Sequence, residues 1–299
     1  MADLSILIPV FNHDVTALVT SLLVQRADWP GAIELRLLDD GSAPEYRARN
    51  RPLASLPGVC YAELPANVGR AAIRNQLAAS ARHPWLLLLD NDSLLPDGQF
   101  LARYAQALAA GPAAGLLVGG TTYLPTPPPD PTLHLRWRYG RARELRPAAA
   151  RQRTPTSQLT FNNALLWAGL LRRFPFDERL SGYGHEDTRL GWELARAGAV
   201  VRHLDNPVLH DGLEPAASFL AKSQQAVRNL AQVLRTDGLG DDTRLVRSAL
   251  IARRMRLAGP ARAGLAALEP GLRRHLLGPR PSLRALDMLK LLWLLRELA

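Results

Sequence analysis

The hydrophobic pattern of residues 1–125 alternates between short apolar runs and longer amphipathic stretches. Continuous apolar runs of this length are typical of strands that are buried on both faces. The runs that predict strands are residues 4–10, 33–38, 59–64, 85–89 and 115–119. The stretches with helical periodicity are residues 13–25, 69–81 and 97–108. This alternation predicts an α/β fold with a mostly parallel central sheet and right-handed crossovers.

The pattern changes after residue 124, because five prolines fall within residues 125–131. Proline clusters break periodic structure. The polar, basic stretch that continues to residue 160 predicts a long loop that is either functional or disordered. Order returns at residues 161–171, and a helix at 187–197 and a short strand at 200–204 are predicted after it. Further along the chain only helical periodicity remains.

The net charge of +10 is concentrated in the C-terminal part of the chain. Residues 244–299 contain twelve arginines and lysines and three acidic residues, a net +9. Charge asymmetry of this kind indicates a basic tail that meets an anionic surface. We therefore predict an α/β domain over residues 1–213 and a basic helical region over residues 214–299.

Two stretches of the basic region, residues 245–256 and 283–296, combine an apolar side with arginines. Basic amphipathic helices can lie in the interface of an anionic membrane. They can equally pack as a bundle on the α/β domain and leave their arginines in solvent, and both interpretations stay open. No interleaved aromatic pattern accompanies the charge, so no nucleic-acid partner is expected.

Composition narrows the class of protein further. Cys60 is the only cysteine, which excludes an internal disulfide and a multi-cysteine metal site. Residues 1–6 carry no basic group before the first apolar run, so they are interpreted as the first strand rather than as a secretory signal. No apolar stretch reaches the roughly 18 residues of a transmembrane helix. A cytoplasmic location is expected, with the inner face of a membrane as the alternative.

The sequence Asp90-Asn91-Asp92 directly follows the apolar run at residues 85–89. Carboxylate oxygens are ligands that suit Mg²⁺ or Mn²⁺, and these ions usually bridge a few carboxylates to substrate phosphates. The carboxyl ends of strands in an open α/β sheet are also where ligands bind. A polar turn that closes a strand is the structural alternative, since Asp and Asn are common in turns.

Polar residues also follow the first three predicted strands, at residues 9–12, 39–42 and 67–70, with Arg74 one helical turn further on. The carboxylate of Asp40 can accept a hydrogen bond from a base N–H. The start of a helix offers free N–H groups and a positive dipole end to a phosphate. Each motif alone also fits a turn, a helix cap or a solvated residue, but their order and shared sheet edge favour a nucleotide site.

These segments resemble family 2 glycosyltransferases of the GT-A fold, over about residues 3–212. The resemblance implies a single nucleotide-sugar-binding α/β domain and inversion at the anomeric carbon. It also implies a UDP-sugar or similar donor, a glycan or lipid-linked hydroxyl acceptor, and Mn²⁺ or Mg²⁺. The residues that it assigns to the nucleotide are Pro9, Phe11, Asn12, Asp40, Asn67, Gly69, Arg70, Arg74 and Asp90. It assigns the metal to Asp90 and Asp92, with Asp92 as the more direct ligand.

The segment Gly182-Tyr183-Gly184-His185-Glu186-Asp187 resembles the Gly-Trp-Gly-x-Glu-Asp segment of galactosyltransferase-like GT-A enzymes. One of two adjacent carboxylates can accept the proton of the acceptor hydroxyl while the other holds a sugar hydroxyl. A helix N-terminus favours the ionised form that a general base needs. The resemblance favours Asp187 over Glu186 as the base, and simple helix capping is the structural alternative.

Two interpretations stay open for His210, which follows another short apolar run. Similar enzymes use a late histidine as a third metal ligand, and imidazole suits Mn²⁺. A lone histidine is otherwise a hydrogen-bonded structural residue. Trp137 and Tyr139 likewise could stack on an acceptor sugar or simply pack.

The chain contains no Gly-x-Ser-x-Gly motif and no Gly-x-Gly-x-x-Gly after a strand. These absences argue against a hydrolase and a Rossmann dehydrogenase. The sequence therefore predicts an inverting, metal-dependent glycosyltransferase. The alternative is a non-catalytic nucleotide- or glycan-binding protein that its basic tail docks to a membrane or a partner.

Overall fold

The structure is a computed structural model that describes residues 2–111, 115–180 and 182–299. The chain divides into two compact units. The sheet unit comprises Met1–Tyr123, Glu144–Arg179 and Glu186–Gly212. The helical unit comprises Leu124–Arg143, Leu180–His185 and Leu213–Ala299. The predicted domains meet at residue 213, whereas this division also assigns two earlier segments of the chain to the helical unit.

The sheet unit contains a seven-stranded central sheet in the order β3-β2-β1-β4-β8-β6-β9. Its pairs are parallel except those of β8, which runs antiparallel to β4 and β6. Strands β5, β10 and β7 form a small second sheet. The strands in chain order are β1 Leu4–Val10, β2 Ile33–Asp39, β3 Val59–Glu63, β4 Trp85–Leu89, β5 Ser93–Leu94, β6 Leu116–Val118, β7 Thr121–Thr122, β8 Asn163–Trp167, β9 Val201–His203 and β10 Val208–His210. The predicted α/β fold with a mostly parallel sheet is confirmed.

Helices lie in both units, and helix α5 and helices α9 to α12 belong to the helical unit. The helices in chain order are α1 Thr16–Val24, α2 Pro44–Asn50, α3 Arg70–Ser80, α4 Phe100–Ala109, α5 His134–Tyr139, α6 Ala148–Arg151, α7 Ala168–Arg173, α8 Glu186–Arg196, α9 Ala216–Asp237, α10 Arg244–Arg254, α11 Ala258–Leu276 and α12 Leu283–Glu297. The helical character predicted for the C-terminal region is therefore confirmed.

Alternate residues of β1 pack on opposite faces of the central sheet. Ile6 and Ile8 pack in one core with residues of α1 and α4, whereas Leu7 packs in a second core with residues of α3, α7 and α8. Both cores exclude water from the strand, since all three side chains are buried. A strand covered on both faces is apolar at nearly every position, which explains the apolar run, and the buried Ser5 is satisfied by a hydrogen bond to Glu34.

The prediction of a long loop through residue 160 is wrong, because short helices lie within this stretch. Helix α5, a π-helical turn at Gly140–Glu144 and helix α6 span six, five and four residues. Each is shorter than two turns of α-helix. Helical periodicity cannot appear in so short a stretch, so the sequence pattern looked irregular.

Helix α12 packs against four other helices of the helical unit, α5, α9, α10 and α11. Leu286, Leu289 and Leu292 are fully buried in this packing. Of the two interpretations of the basic tail, packing with other helices therefore applies to α12. None of the helices formed by the described residues combines the length and the apolarity needed to cross a membrane.

Candidate active site

The loops that follow β1 and β2 interlock at one edge of the sheet. These strands are parallel neighbours, so their carboxyl ends lie side by side. The backbone N–H of Asn12 donates to Oγ of Ser42 at 2.8 Å, and Oδ1 of Asn12 accepts from the N–H of Ala43 at 2.8 Å. Asn12 holds a left-handed backbone with φ of 47°. The predicted nucleotide residue Asn12 therefore joins the first two loops.

Asp40 ties the loop after β2 to the start of α3. Its two carboxylate oxygens accept the backbone N–H groups of Val68 at 2.7 Å and Gly69 at 3.2 Å. Burial raises the pKa of Asp40, and the two N–H donors oppose that rise. Gly41 is required beside it, because a Cβ there would lie 2.7 Å from the backbone of Asn67. In this structure Asp40 fixes a loop, and its predicted contact with a base stays a prediction.

Apolar surface is exposed next to these loops. Phe11 and Val68 are both exposed, and Pro9 lies at the end of β1. The side-chain amide of Asn91 donates to the carbonyl oxygen of Phe11 at 3.1 Å, which links the first loop to the Asp-Asn-Asp segment. Helix α3 begins after Gly69, which occupies the N-cap position, so Asn67 does not cap it.

Five charged residues form a group that we call the ion cluster, in which Arg74 and Glu186 are buried and the other three are partly exposed: Arg70, Arg74, Asp90, Glu186 and Asp187. Arg74 Nη2 donates to Asp90 Oδ1 at 2.7 Å, and Arg74 Nη1 donates to Asp187 Oδ1 at 2.9 Å. Arg70 donates to Asp90 Oδ2 at 3.0 Å and to Glu186 Oε1 at 2.8 Å. Arg74 is only 1% exposed. The cluster thus joins the end of β4 to the starts of α3 and α8.

Asp187 is held at both carboxylate oxygens. Oδ1 accepts from Arg74, and Oδ2 accepts the backbone N–H of Phe161 at 2.9 Å. The Arg74 guanidinium also lies over the ring of Phe176, 5.3 Å from its centre. An arginine packed in this way presents its fork in a fixed orientation. The position of the Asp187 carboxylate is therefore determined by groups from two other segments of the chain.

The three carboxylates of the ion cluster differ in their electrostatics. Burial opposes the charge of Asp90 and of Glu186, but the guanidinium groups of Arg70 and Arg74 outweigh burial and lower the pKa of both. Burial raises the pKa of Asp187, and the neighbouring Glu186 adds to the rise against the effect of Arg74. Of the three, Asp187 therefore holds a proton most readily, which is the direction a general base requires.

Asp92 and His210 form a second polar contact, separate from the ion cluster. Asp92 Oδ2 lies 3.5 Å from His210 Nδ1. Burial raises the pKa of Asp92, but the histidine outweighs burial and lowers it. The backbone carbonyl of Asp92 accepts from the N–H of Asp211 at 2.8 Å. Gly212 is required here, because a Cβ there would lie 2.4 Å from Asp92 Oδ2.

The predicted metal ligands are only partly brought together. Among the described residues, no three His, Cys, Asp or Glu side chains are grouped so that they could hold a metal ion. Asp90 faces the two arginines, whereas Asp92 and His210 are neighbours. One carboxylate and one imidazole fit Mn²⁺ or Mg²⁺ when substrate phosphates complete the coordination shell. The donor set therefore fits a metal that binds together with a nucleotide.

A family model described as Glycosyl transferase family 2 matches residues 5–170, more than half of the chain. The chain belongs to glycosyltransferase family 2. The match includes the loops after β1 to β3, the Asp-Asn-Asp segment and Phe161. It ends before Glu186 and Asp187, so the assignment of those two residues stays a prediction. No curated protein sequence matches the chain.

Several solved structures share the fold of this family 2 member. Mannosyltransferase PcManGT from Pyrobaculum calidifontis, in complex with GDP-Man and Mn²⁺, aligns with a TM-score of 0.57 at 17% identity over 96% of this chain and 78% of that chain. Glucosyl-3-phosphoglycerate synthase from Mycobacterium tuberculosis, in complex with Mn²⁺, UDP and glucosyl-3-phosphoglycerate, aligns with a TM-score of 0.55 at 18% identity over 81% and 82%. S. aureus TarS 1-349 aligns with a TM-score of 0.50 at 16% identity over 97% and 89%. At these identities the likeness establishes the GT-A fold alone.

Backbone conformation and packing explain why glycines precede Glu186. Gly182 and Gly184 both have positive φ, 74° and 100°. A Cβ on Gly184 would lie 2.6 Å from the Cβ of Ala226, and the carbonyl oxygen of Gly184 accepts from Asn229 Nδ2 at 2.9 Å. The positive φ of both glycines and the tight packing at Gly184 therefore account for them, and their resemblance to a galactosyltransferase motif stays a prediction.

The two aromatic residues considered for an acceptor sugar pack within the helical unit. Trp137 Nε1 donates to the carbonyl of Leu124 at 2.9 Å. The ring of Tyr139 lies 5.1 Å from that of Phe219 and 4.6 Å from Lys290 Nζ. Packing is the role that the structure assigns to both. Sequence reasoning missed the contact of Phe161 with the candidate base, because a backbone N–H leaves no signal in the sequence.

Proposed function

We propose that this family 2 member is an inverting, metal-dependent glycosyltransferase. It would transfer a hexosyl group from a nucleotide sugar, in the simplest case a UDP-sugar, to a hydroxyl of a glycan or lipid-linked acceptor. The ion cluster is the observation that carries the proposal. It joins the Asp-Asn-Asp segment to the Glu186-Asp187 pair, and both motifs are needed for the transfer. The nucleotide complexes of similar fold lend further support.

The donor would bind at the edge formed by the loops after β1 and β2. The exposed side chains of Phe11 and Val68 offer apolar surface to a base. Arg70 is about one-third exposed and can turn from Asp90 toward the diphosphate, whereas Arg74 is buried and would stay with its carboxylates. Of the two arginines predicted to meet phosphate, we therefore favour Arg70.

Asp92 and His210 would hold the metal, with the diphosphate of the donor as its other ligand. When bound, a divalent ion neutralises the charge that develops on the leaving diphosphate. Asp90 would support the site from beside it, through its hydrogen bonds to Arg70 and Arg74. Release of Arg70 to the donor would leave Arg74 as the permanent partner of Asp90.

Asp187 would act as the general base and Glu186 would hold a sugar hydroxyl. The acceptor oxygen forms a bond to the anomeric carbon while the bond from that carbon to the phosphate oxygen breaks. The acceptor proton passes to Asp187, and the nucleoside diphosphate leaves with the electron pair. Attack from the face opposite the leaving group inverts the anomeric configuration. The hydrogen bonds from Arg74 and Phe161 would keep the carboxylate aimed during the step.

Nucleotide-sugar turnover tests the proposal most directly. The protein is incubated with UDP- and GDP-sugars, candidate glycan acceptors and Mn²⁺ or Mg²⁺, and released nucleoside diphosphate is measured. We expect release with at least one donor, loss of release with a chelator, and an anomer opposite to that of the donor by proton NMR. Asp92→Asn should weaken metal-dependent nucleotide binding in calorimetry.

Four outcomes would contradict parts of this proposal. Turnover that ignores the chelator removes the metal requirement, and a product with the anomeric configuration of the donor removes inversion. Tight nucleotide-sugar binding without release of diphosphate, across the donors and acceptors tested, would favour the non-catalytic binding protein. Wild-type binding by Asp92→Asn would move the metal to other ligands.

A further inference from the structure

One side of α10 is exposed although it carries large apolar residues. Val246 and Ala249 are fully buried and mark the inner side of the helix. Arg247, Ile251 and Arg254 recur at helical spacing on the opposite side, where Ile251 is 57% exposed. Met255, in the turn that follows, is 62% exposed. We call Arg247, Leu250, Ile251, Arg254, Met255 and the following residue Arg256 the α10 face.

The sequence of α10 and of the residues that follow it carries charge of one sign. Residues 243–268 contain six arginines and no acidic residue. The acidic side chains further along the unit already pair with other arginines, since Glu269 contacts Arg273 and Arg296. Glu297 likewise contacts Arg228 and Arg235. Among the described residues, no carboxylate contacts an arginine of the α10 face, so its positive charge is directed to solvent.

The turn at the end of α10 keeps an arginine where glycine is usual. Arg256 has φ of 59°, and the N–H of Leu257 donates to the carbonyl of Ala252 at 2.8 Å, which closes the helix. A left-handed residue at this position is a common helix ending, and glycine adopts it without strain. Leu257 is itself 49% exposed. The turn thus presents one charged and one apolar side chain to solvent, although a glycine at position 256 would strain the backbone less.

We propose that the α10 face docks this protein on an anionic lipid bilayer. Exposed aliphatic side chains among arginines are the composition of a helix that lies in a membrane interface. Ile251 and Met255 would enter the headgroup region, and the arginines would contact lipid phosphates from the same side. A nucleic acid would match the charge but would gain nothing from the aliphatic groups, and the face carries no aromatic residue for stacking.

Helix α10, rather than α12, carries the proposed docking surface of the basic tail. Helix α12 carries the longest apolar run of the tail, but most of its leucines are buried where it packs against other helices of the unit. A buried side chain cannot enter a membrane unless the unit unfolds. Docking by α10 needs no rearrangement, because its apolar residues are already exposed. The proposal does not depend on the chemistry at the ion cluster, so the two can fail separately.

Vesicle sedimentation of the full chain, without nucleotide or metal, tests the docking. The vesicles contain equal parts of phosphatidylglycerol and phosphatidylcholine, and the reference vesicles contain phosphatidylcholine alone. We expect binding to the anionic vesicles at about 0.05 M salt and release at about 0.5 M, where charge interactions are screened within a few Å. Weak or no binding is expected on the neutral vesicles.

Variants of the face separate its two components. Arg247→Gln with Arg254→Gln should weaken partitioning about 25-fold, since each basic residue near an anionic leaflet contributes about fivefold. Ile251→Ser with Met255→Ser should weaken it on the order of tenfold. Arg256→Gly should weaken it about fivefold while the folded protein keeps or gains stability, because glycine relieves the left-handed backbone.

Matched controls lie in the sheet unit. Arg82→Gln with Arg172→Gln removes two exposed charges, and Val24→Ser with Val200→Ser removes two exposed apolar groups. Both controls should partition within about twofold of the wild type. Thermal unfolding of every variant verifies that the fold is retained.

Four outcomes would overturn the proposal. The first is a wild-type protein that ignores anionic vesicles at low salt. The second is a loss of binding that is equal in the α10 and control variants. The third is full binding by the Ile251→Ser, Met255→Ser variant. The fourth is tight binding of an oligonucleotide that depends on Arg247 and Arg254 but not on Ile251, which would identify a nucleic-acid surface instead.

Discussion

Arginines in two regions of this protein have opposite surroundings. In the ion cluster, Arg74 is buried and donates to Asp90 and Asp187. On the α10 face, Arg247 and Arg254 are exposed and, in the part of the chain that the structure describes, meet no carboxylate. Both sets occupy one side of a helix, so local pattern does not separate them. The role of an arginine in this protein therefore depends on whether carboxylates from distant segments reach it.

Asp187→Asn tests the chemical role of the ion cluster and has the largest expected effect, a loss of turnover. An amide cannot accept the acceptor proton, so we expect turnover to fall by about 10²–10⁴-fold with little change in nucleotide affinity. Initial rates and calorimetry measure the two quantities. Arg254→Gln, a matched change on the α10 face, should leave turnover unchanged. Near-normal turnover in Asp187→Asn would move the role of base to Glu186, which Glu186→Gln would then reveal.

Arg74→Met tests the structural side of the comparison. It leaves Asp90 and Asp187 without a buried partner, and we expect the free energy of unfolding to fall by about 3–5 kcal/mol in urea titration. Arg254→Met should change it by less than about 0.5 kcal/mol. Adding Asp90→Asn to Arg74→Met should recover part of the loss, since one uncompensated charge is removed. Equal effects of Arg74→Met and Arg254→Met would end the distinction between the two regions.

Two apolar substitutions sharpen the comparison within the basic tail. Leu289→Ala removes a fully buried side chain of α12, and we expect a loss of about 2–5 kcal/mol in the free energy of unfolding. Ile251→Ala on the α10 face should change it by less than about 0.5 kcal/mol. A large effect of Ile251→Ala would mean that this side chain is buried in solution, and it would remove the apolar half of the proposed docking surface.

The pH dependence of stability gives the smallest expected effect, below about 2 kcal/mol. Because the pKa of Asp90 is lowered on folding, its contribution is present above its unfolded pKa of about 4. That contribution is lost as the pH falls through the lowered folded value. The stability difference between wild type and Asp90→Asn should therefore be constant from about pH 5 to 7 and shrink below about pH 4. A difference that does not change with pH would show that the arginines do not stabilise the charge of Asp90.

Much of the sheet unit could be predicted from the sequence, and the reason lies in the strands. Ile6, Leu7 and Ile8 are apolar because both faces of β1 are covered, so a continuous run identified the strand. Polar residues at the strand ends then indicated one edge of the sheet as the site. The short helices α5 and α6 could not be predicted, since neither is long enough to show periodicity.

The pairing of Arg70 with Glu186 joins residues 116 positions apart. No local pattern records such a contact, so the sequence indicated phosphate as the partner of Arg70 and Arg74. The structure instead surrounds Arg74 with carboxylates from two segments. The observed partners of Asp40 also differ from the predicted one. Its oxygens accept backbone N–H groups, and such contacts leave no signature in the sequence.

The sequence by itself determined the α/β pattern, the Asp-Asn-Asp segment at a strand end and the basic, helical character of the tail. These follow from local chemistry, since side-chain polarity records whether each position is buried. Only the tertiary structure decided which arginines meet carboxylates, and which apolar side of the tail is buried in α12 and which is left exposed on α10. Burial and pairing depend on segments that approach one another through folding, and local sequence does not record those distances.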